Sequence, residues 1–152
     1  MKTRILLLAL IHLAIQKPID DPCASNTFTV DEFTFGSYTN ARFDSGVFYD
    51  TDDNFIFLPT TVYETVLDKL NAQGYTYVDF VACDSKSLAT YPDLVFTSNG
   101  TKVVLHPTDY IVTDDTINNM CMLLIEDVSI AQSSYDYALP IGFKSQLCSK
   151  QK

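Results

Sequence analysis

The run Asp50-Thr51-Asp52-Asp53 packs three carboxylates and a hydroxyl into four positions, directly after the apolar segment Val47-Phe48-Tyr49. A carboxylate can serve as a general acid or a general base, and Asp50 is the candidate for that work. Read alone, Asp50 to Asn54 favours a solvated loop, because Asp and Asn side chains bond their own backbone in turns. Other reactive groups are sparse. The histidines are His12 and His106, and no two of Cys23, Cys83, Cys121 and Cys148 form a C-x-x-C pair. A zinc site is therefore not expected, and a Ser-His-Asp triad would rest on His106 alone. His106, before Pro107, reads as a strand-end residue. Asp109 with Asp114 and Asp115 is acidic but lacks the Asp-x-Asp-x-Asp-Gly spacing of a calcium loop, so a solvated loop is expected there. No metal and no cofactor is expected. Asn99-Gly100-Thr101 is the one N-glycosylation sequon, which makes Asn99 a candidate modification site.

Short strands and one helix must hold these groups. Thr27–Val30 and Glu32–Phe35 alternate as strands do, with a turn at Gly36-Ser37. Gly46–Tyr49 is a strand that delivers Asp50. Asn54–Leu58 reads as a buried strand ended by Pro59. The spacing predicts a helix from about Thr61 to Gln73, opened by a Thr61/Glu64 capping box. Val62, Val66 and Leu70 share its apolar face, and Gly74 is placed to end it in a left-handed turn. Tyr75–Cys83 and Met120–Val128 read as strands. Leu94–Thr97 and Lys102–Leu105 flank Asn99-Gly100, a strong hairpin signal because both residues tolerate positive φ. Strands with one good helix predict a mainly β domain.

Composition sets the class. The chain has 152 residues, of which 47% are hydrophobic, so it can bury a core. Lys2 and Arg4 precede the apolar run Ile5–Ile15, broken only by His12, and polar Gln16-Lys17-Pro18 follows. This reads as a cleaved signal peptide over 1–16, leaving 17–152 as the mature domain. The run is short for a bilayer span. A buried N-terminal strand or helix is the other reading. The formal charge of −9 becomes more negative by two when the leader is removed. That argues against nucleic acid and anionic membrane as partners. It suits an acidic compartment, where partial protonation relieves repulsion. An even number of cysteines in a secreted chain implies disulfides, with three connectivities open.

The order of these segments resembles the C-terminal lobe of a pepsin-type aspartic peptidase. Two apolar strand residues before Asp-Thr, a hydrophobic strand, Pro59 and a helix come in the family's sequence. Further on, Cys83, Pro92-Asp93-Leu94-Val95-Phe96, the Asn-Gly hairpin and Leu105-His106-Pro107-Thr108-Asp109-Tyr110-Ile111 resemble its C-lobe run. Tyr137-Ala138-Leu139-Pro140 resembles the stretch that returns under the active site. The resemblance covers roughly Phe28 to Cys148. It implies one pepsin-like lobe with one or two short helices, Asp50 as the lobe's catalytic Asp and Thr51 as the hydroxyl bracing the loops. It also implies a Cys83–Cys121 disulfide, with Cys23 and Cys148 left as a weaker pair. The implied reaction is endopeptide hydrolysis by two Asp residues, one from each lobe.

The sequence departs from that pattern at the chemistry. Asp52 stands where the family has Gly, adding bulk and a like charge beside Asp50. Asp53 replaces a hydroxyl residue, and Pro140 replaces a Gly and removes an N–H. A second Asp-Thr-Gly is not found, and the sequence stops before the family's final strand. The expectation is a secreted or endolysosomal peptidase-like lobe, inactive by itself. The alternatives are a non-catalytic module that binds a peptide or protein ligand, and a lobe active as a homodimer or with a separate N-terminal lobe.

Overall fold

The computed structural model describes residues 27–41, 45–50, 54–75, 77–131 and 136–148. The leader expected over 1–16 and its boundary at 17 lie outside them. The described chain is mostly strand, in three sheets, with helical segments that are short apart from one.

The sheet that carries Asp50 contains β1 (Thr27–Val30), β4 (Ser45–Asp50), β5 (Ile56–Leu58), β12 (Ile125–Asp127) and β13 (Tyr137–Pro140), in the order β1-β4-β13-β5-β12. A second sheet is β3-β2-β8-β9, from β2 (Glu32–Phe35), β3 (Tyr38–Asn40), β8 (Leu94–Ser98) and β9 (Thr101–Leu105). The third is β10-β11-β7-β6, from β6 (Gln73–Tyr75), β7 (Val78–Ala82), β10 (Ile111–Ile117) and β11 (Met120–Leu123).

Alternation explains how these strands share one core. In β2, Phe33 and Phe35 face inward while Glu32 and Thr34 do not. Phe33 meets Phe96 with ring centroids 5.1 Å apart, and Tyr137 packs edge-on against Phe96 at 5.6 Å. Such tilted and T-shaped contacts suit the aromatic quadrupole. Tyr137 thereby ties the Asp50 sheet to the β8–β9 sheet. Its buried hydroxyl accepts a hydrogen bond from Asn40 Nδ2 at 3.3 Å.

The helix α1 spans Thr60–Leu70 and buries Val62, Val66 and Leu70, spaced at one residue per turn. Burial of each stabilises the fold by about 2 kcal/mol. Both ends differ from the sequence expectation. No side chain caps the start, where the Pro59 carbonyl instead accepts from the Val62 and Tyr63 N–H groups. At the end, Asn71 takes the left-handed conformation at φ 51°, and Ala72 N–H returns to the Leu67 carbonyl at 3.0 Å. Gly74 is not the stop. It lies in β6 opposite Asp79, where a Cβ would sit 3.2 Å from Asp79 Oδ1. Close approach to a buried carboxylate is what this glycine permits.

Two expected strands are each divided. Tyr75–Cys83 belongs to a β6–β7 hairpin, with Tyr75 paired to Val78. Met120–Val128 splits at Leu124 into β11, antiparallel to β7, and β12, parallel to β5. Leu124 N–H bonds the Tyr110 carbonyl at 2.8 Å, and its own carbonyl accepts from Ile56 N–H at 2.9 Å. These two bonds hand the chain from one sheet to another. Ser85–Leu88 (α2), Pro107–Tyr110 (α3) and Lys144–Cys148 (α4) are helical turns that the periodicity did not signal.

Candidate functional site

Asp50 closes β4, in the interior of its sheet. On one side β4 runs antiparallel to β1, with Phe28 opposite Val47. On the other side β13 runs parallel to it, pairing Leu139 with Tyr49 and Pro140 with Asp50. The strand β13 also pairs antiparallel with β5 through Ala138 and Phe57. Thus β4 and β5, consecutive in sequence, are separated by a strand from near the far end of the chain. Thr51, Asp52 and Asp53 fall outside the described residues.

Pro140 has a consequence for this end of the sheet. It has no N–H, so β13 reaches the residue opposite Asp50 with one donor fewer than any other residue would supply. A hollow of about 480 Å³ opens at the same end. Asn54, Phe55, Pro140 and Phe143 line it, together with Met122 of β11 and Leu124, which joins β11 to β12. Its walls are mainly apolar. Asp109 also borders it, and the Asp109 carboxylate accepts the His106 N–H at 2.7 Å, fixing the start of α3.

The other singled-out residues are distributed away from Asp50. His106 precedes α3, and its Nδ1 lies 2.8 Å from Asp93 Oδ1, an ion pair when the imidazole is protonated. The Asp93 hydrogen bond, then the Asp93 and Asp109 charges, raise the His106 pKa above its ordinary 6.5. Asp114 is in β10. Among the described residues no three His, Cys, Asp or Glu side chains gather as metal ligands. Asn99 is exposed at the β8–β9 turn. Cys83 and Cys121 are joined by a disulfide with Cα atoms 5.6 Å apart, linking the end of β7 to β11. Cys148 is also in a disulfide, and a pairing with Cys23 lies outside the described residues.

One polar pair escaped the sequence reading. Asp79 is buried in β7, and the Tyr63 hydroxyl of α1 donates to it. Burial first, then this hydrogen bond and the Asp79, Glu126 and Asp127 charges, push the Tyr63 pKa well up. The alternating pattern over Val78–Ala82 could have flagged Asp79, because it shares the inward face with Val81.

Residues 14–139 match the family model described as eukaryotic aspartyl protease. The chain belongs to that family. Rat (Rattus norvegicus) gastricsin is 32% identical over 111 residues, covering 70% of this chain and 27% of gastricsin. Mouse (Mus musculus) gastricsin is 30% identical over the same shares. Aspartic protease 1 of Caenorhabditis elegans is 22% identical over 121 residues, 80% of this chain and 30% of that protein. The chain thus spans less than a third of the length of these curated relatives. A mostly β lobe with short helices is consistent with one lobe of the pepsin-like fold, to which the family match assigns it. Among the described residues, no helix of this aspartyl protease family member is long and apolar enough to cross a membrane.

Proposed function

We propose that this chain is a secreted aspartic-peptidase-like lobe that supplies one half of a carboxylate dyad and is inactive alone. The family match supports the reaction class, endopeptide hydrolysis. In that chemistry two close carboxylates share a proton. One takes a proton from water as it attacks the peptide carbonyl, while the other protonates the carbonyl oxygen. Asp50 fills one of these roles and needs a second Asp from another lobe. Thr51 braces the loop. Asp52 and Asp53 add like charges next to Asp50, which disfavours the shared-proton state.

The observation that carries this reading is the register of Pro140 with Asp50. It supports Asp50 as the dyad position, at the end of a central strand with β13 returning beside it. It also supports impaired chemistry, since the return strand offers no N–H there. The leader-like N-terminus and the acidic charge favour export to the medium or to an acidic endolysosomal lumen. Hydrolysis of a fluorogenic peptide between about pH 3 and 7, the range that brackets dyad titration, tests the reading. No cleavage is expected. Pepstatin-sensitive cleavage that vanishes in Asp50→Asn would place the chain among active enzymes, as a homodimer or with a separate N-terminal lobe.

A second reading is a non-catalytic module that binds a peptide or protein ligand. The mainly apolar hollow beside Pro140 favours it, because such a surface can accept an apolar side chain without any proton transfer. Binding of a pepstatin-type peptide without turnover supports this reading.

A further inference from the structure

The β8–β9 hairpin turns on two residues, Asn99 at φ 47° and Gly100 at φ 78°. Positive φ at both central positions is the geometry that matches strand twist in a two-residue turn. The Asn99 N–H is held by Asp31 Oδ2 at 2.7 Å. That bond fixes the backbone and leaves the side chain outside. Asn99 is exposed, and among the described residues its carboxamide makes no hydrogen bond. A Cβ built on Gly100 meets nothing within 4 Å, so the tip opens onto empty space. Thr101 supplies the hydroxyl of an Asn-x-Thr sequon and pairs with Ser98 at the first rung of the ladder.

We propose that Asn99 is an N-glycan acceptor. This rests on the secretory route proposed above, since the transfer occurs in the secretory lumen. The carboxamide nitrogen attacks the anomeric carbon of an oligosaccharide carried on a polyprenyl diphosphate. The C–N bond forms as the C–O bond to the diphosphate breaks, the polyprenyl diphosphate leaves, and one amide proton passes to a base on the transferase. A bulky hydrophilic adduct here displaces no packed side chain.

The register also sets the site apart from the candidate active end. Asp31 N–H bonds the Thr97 carbonyl at 2.8 Å and joins β1 to β2 beside the hairpin tip. Its neighbour Val30 pairs with Ser45, the first residue of β4. Asp50 is the last residue of that six-residue strand, roughly 17 Å further along at about 3.4 Å per residue. The attachment point therefore lies towards the opposite end of β4 from Asp50.

The test expresses the full chain in eukaryotic cells in two forms, with its own N-terminus and with 1–16 replaced by a heterologous cleavable leader. Peptide N-glycosidase should increase the mobility of the second form by one glycan, and mapping should find Asn99 converted to Asp. Asn99→Gln and Thr101→Ala should each abolish the shift, while Thr101→Ser should keep it. The Ser variant separates loss of the hydroxyl from a disturbed hairpin. Material exported on the heterologous leader with Asn99 unmodified would overturn the proposal. Retention of only the native-leader form would instead sink the secretion reading, with Asn99 still decided by the other form.

Discussion

The side-chain amide of Gln146 pairs with both backbone groups of Val104: Oε1 accepts the N–H at 2.9 Å, and Nε2 donates to the carbonyl at 3.0 Å. The strand β9 is an edge of its sheet, so alternate residues turn their N–H and C=O away from β8. At Val104 the amide takes the place of a neighbouring strand. Helix α4 thus shields part of an edge that could otherwise recruit another chain.

Gln146→Ala should therefore lower stability by about 1–3 kcal/mol, the usual cost of leaving part-buried polar groups unpaired. It should also increase self-association. Gln146→Glu keeps the bond from Val104 N–H but sets a carboxylate against the Val104 carbonyl, so its cost should be similar. Urea unfolding and sedimentation read the two effects. Unchanged stability and association in both variants would refute the edge-capping role.

Tyr63→Phe removes the hydroxyl that donates to the buried Asp79 carboxylate and should cost about 2 kcal/mol, the worth of a hydrogen bond to a charged group. The pH dependence follows from the sign. The folded Tyr63 pKa lies above its ordinary 10.0. Its contribution is then fully present below pH 10 and is lost as pH rises through the folded value. Stability measured above pH 10 should fall less steeply in Tyr63→Phe than in the parent chain. Equal slopes would show that Tyr63 does not report the coupling.

The exposed His106–Asp93 pair gives a second titration. The folded pKa is raised, so any stabilisation is complete below 6.5 and disappears as pH climbs through the folded value. The magnitude should be small because both side chains are largely in water. Following the His106 ring protons by NMR, Asp93→Asn should move the titration midpoint down. An unmoved midpoint would assign the shift to another group.

The Cys83–Cys121 bridge closes a sequence separation of 38. The chain-entropy argument gives about 4 kcal/mol for a loop of that size. Replacing both cysteines with Ala should lower the unfolding midpoint strongly, and non-reducing peptide mapping of the parent should recover the two as one crosslinked fragment. Free thiols at both positions in exported protein would contradict the bridge.

Much of this lobe is written locally in the chain. The Asn99-Gly100 turn needs positive φ and joins two alternating runs, so the hairpin was legible. The α1 face was legible because Val62, Val66 and Leu70 recur at helical spacing. Asp50 at the end of a strand, followed by a buried strand and Pro59, was also readable, as was the family resemblance carried by their order. Tertiary structure decided what depends on distant partners. Leu124 breaks a continuous apolar run because Tyr110 and Ile56 claim its backbone. Gly74 is drawn into β6 against Asp79, while Asn71 ends the helix. The strand β13 enters between β4 and β5, setting Pro140 opposite Asp50. Dihedral preference and periodicity act over a few residues, whereas strand pairing and buried hydrogen bonds join residues far apart in the chain, and only the folded core fixes which of them meet.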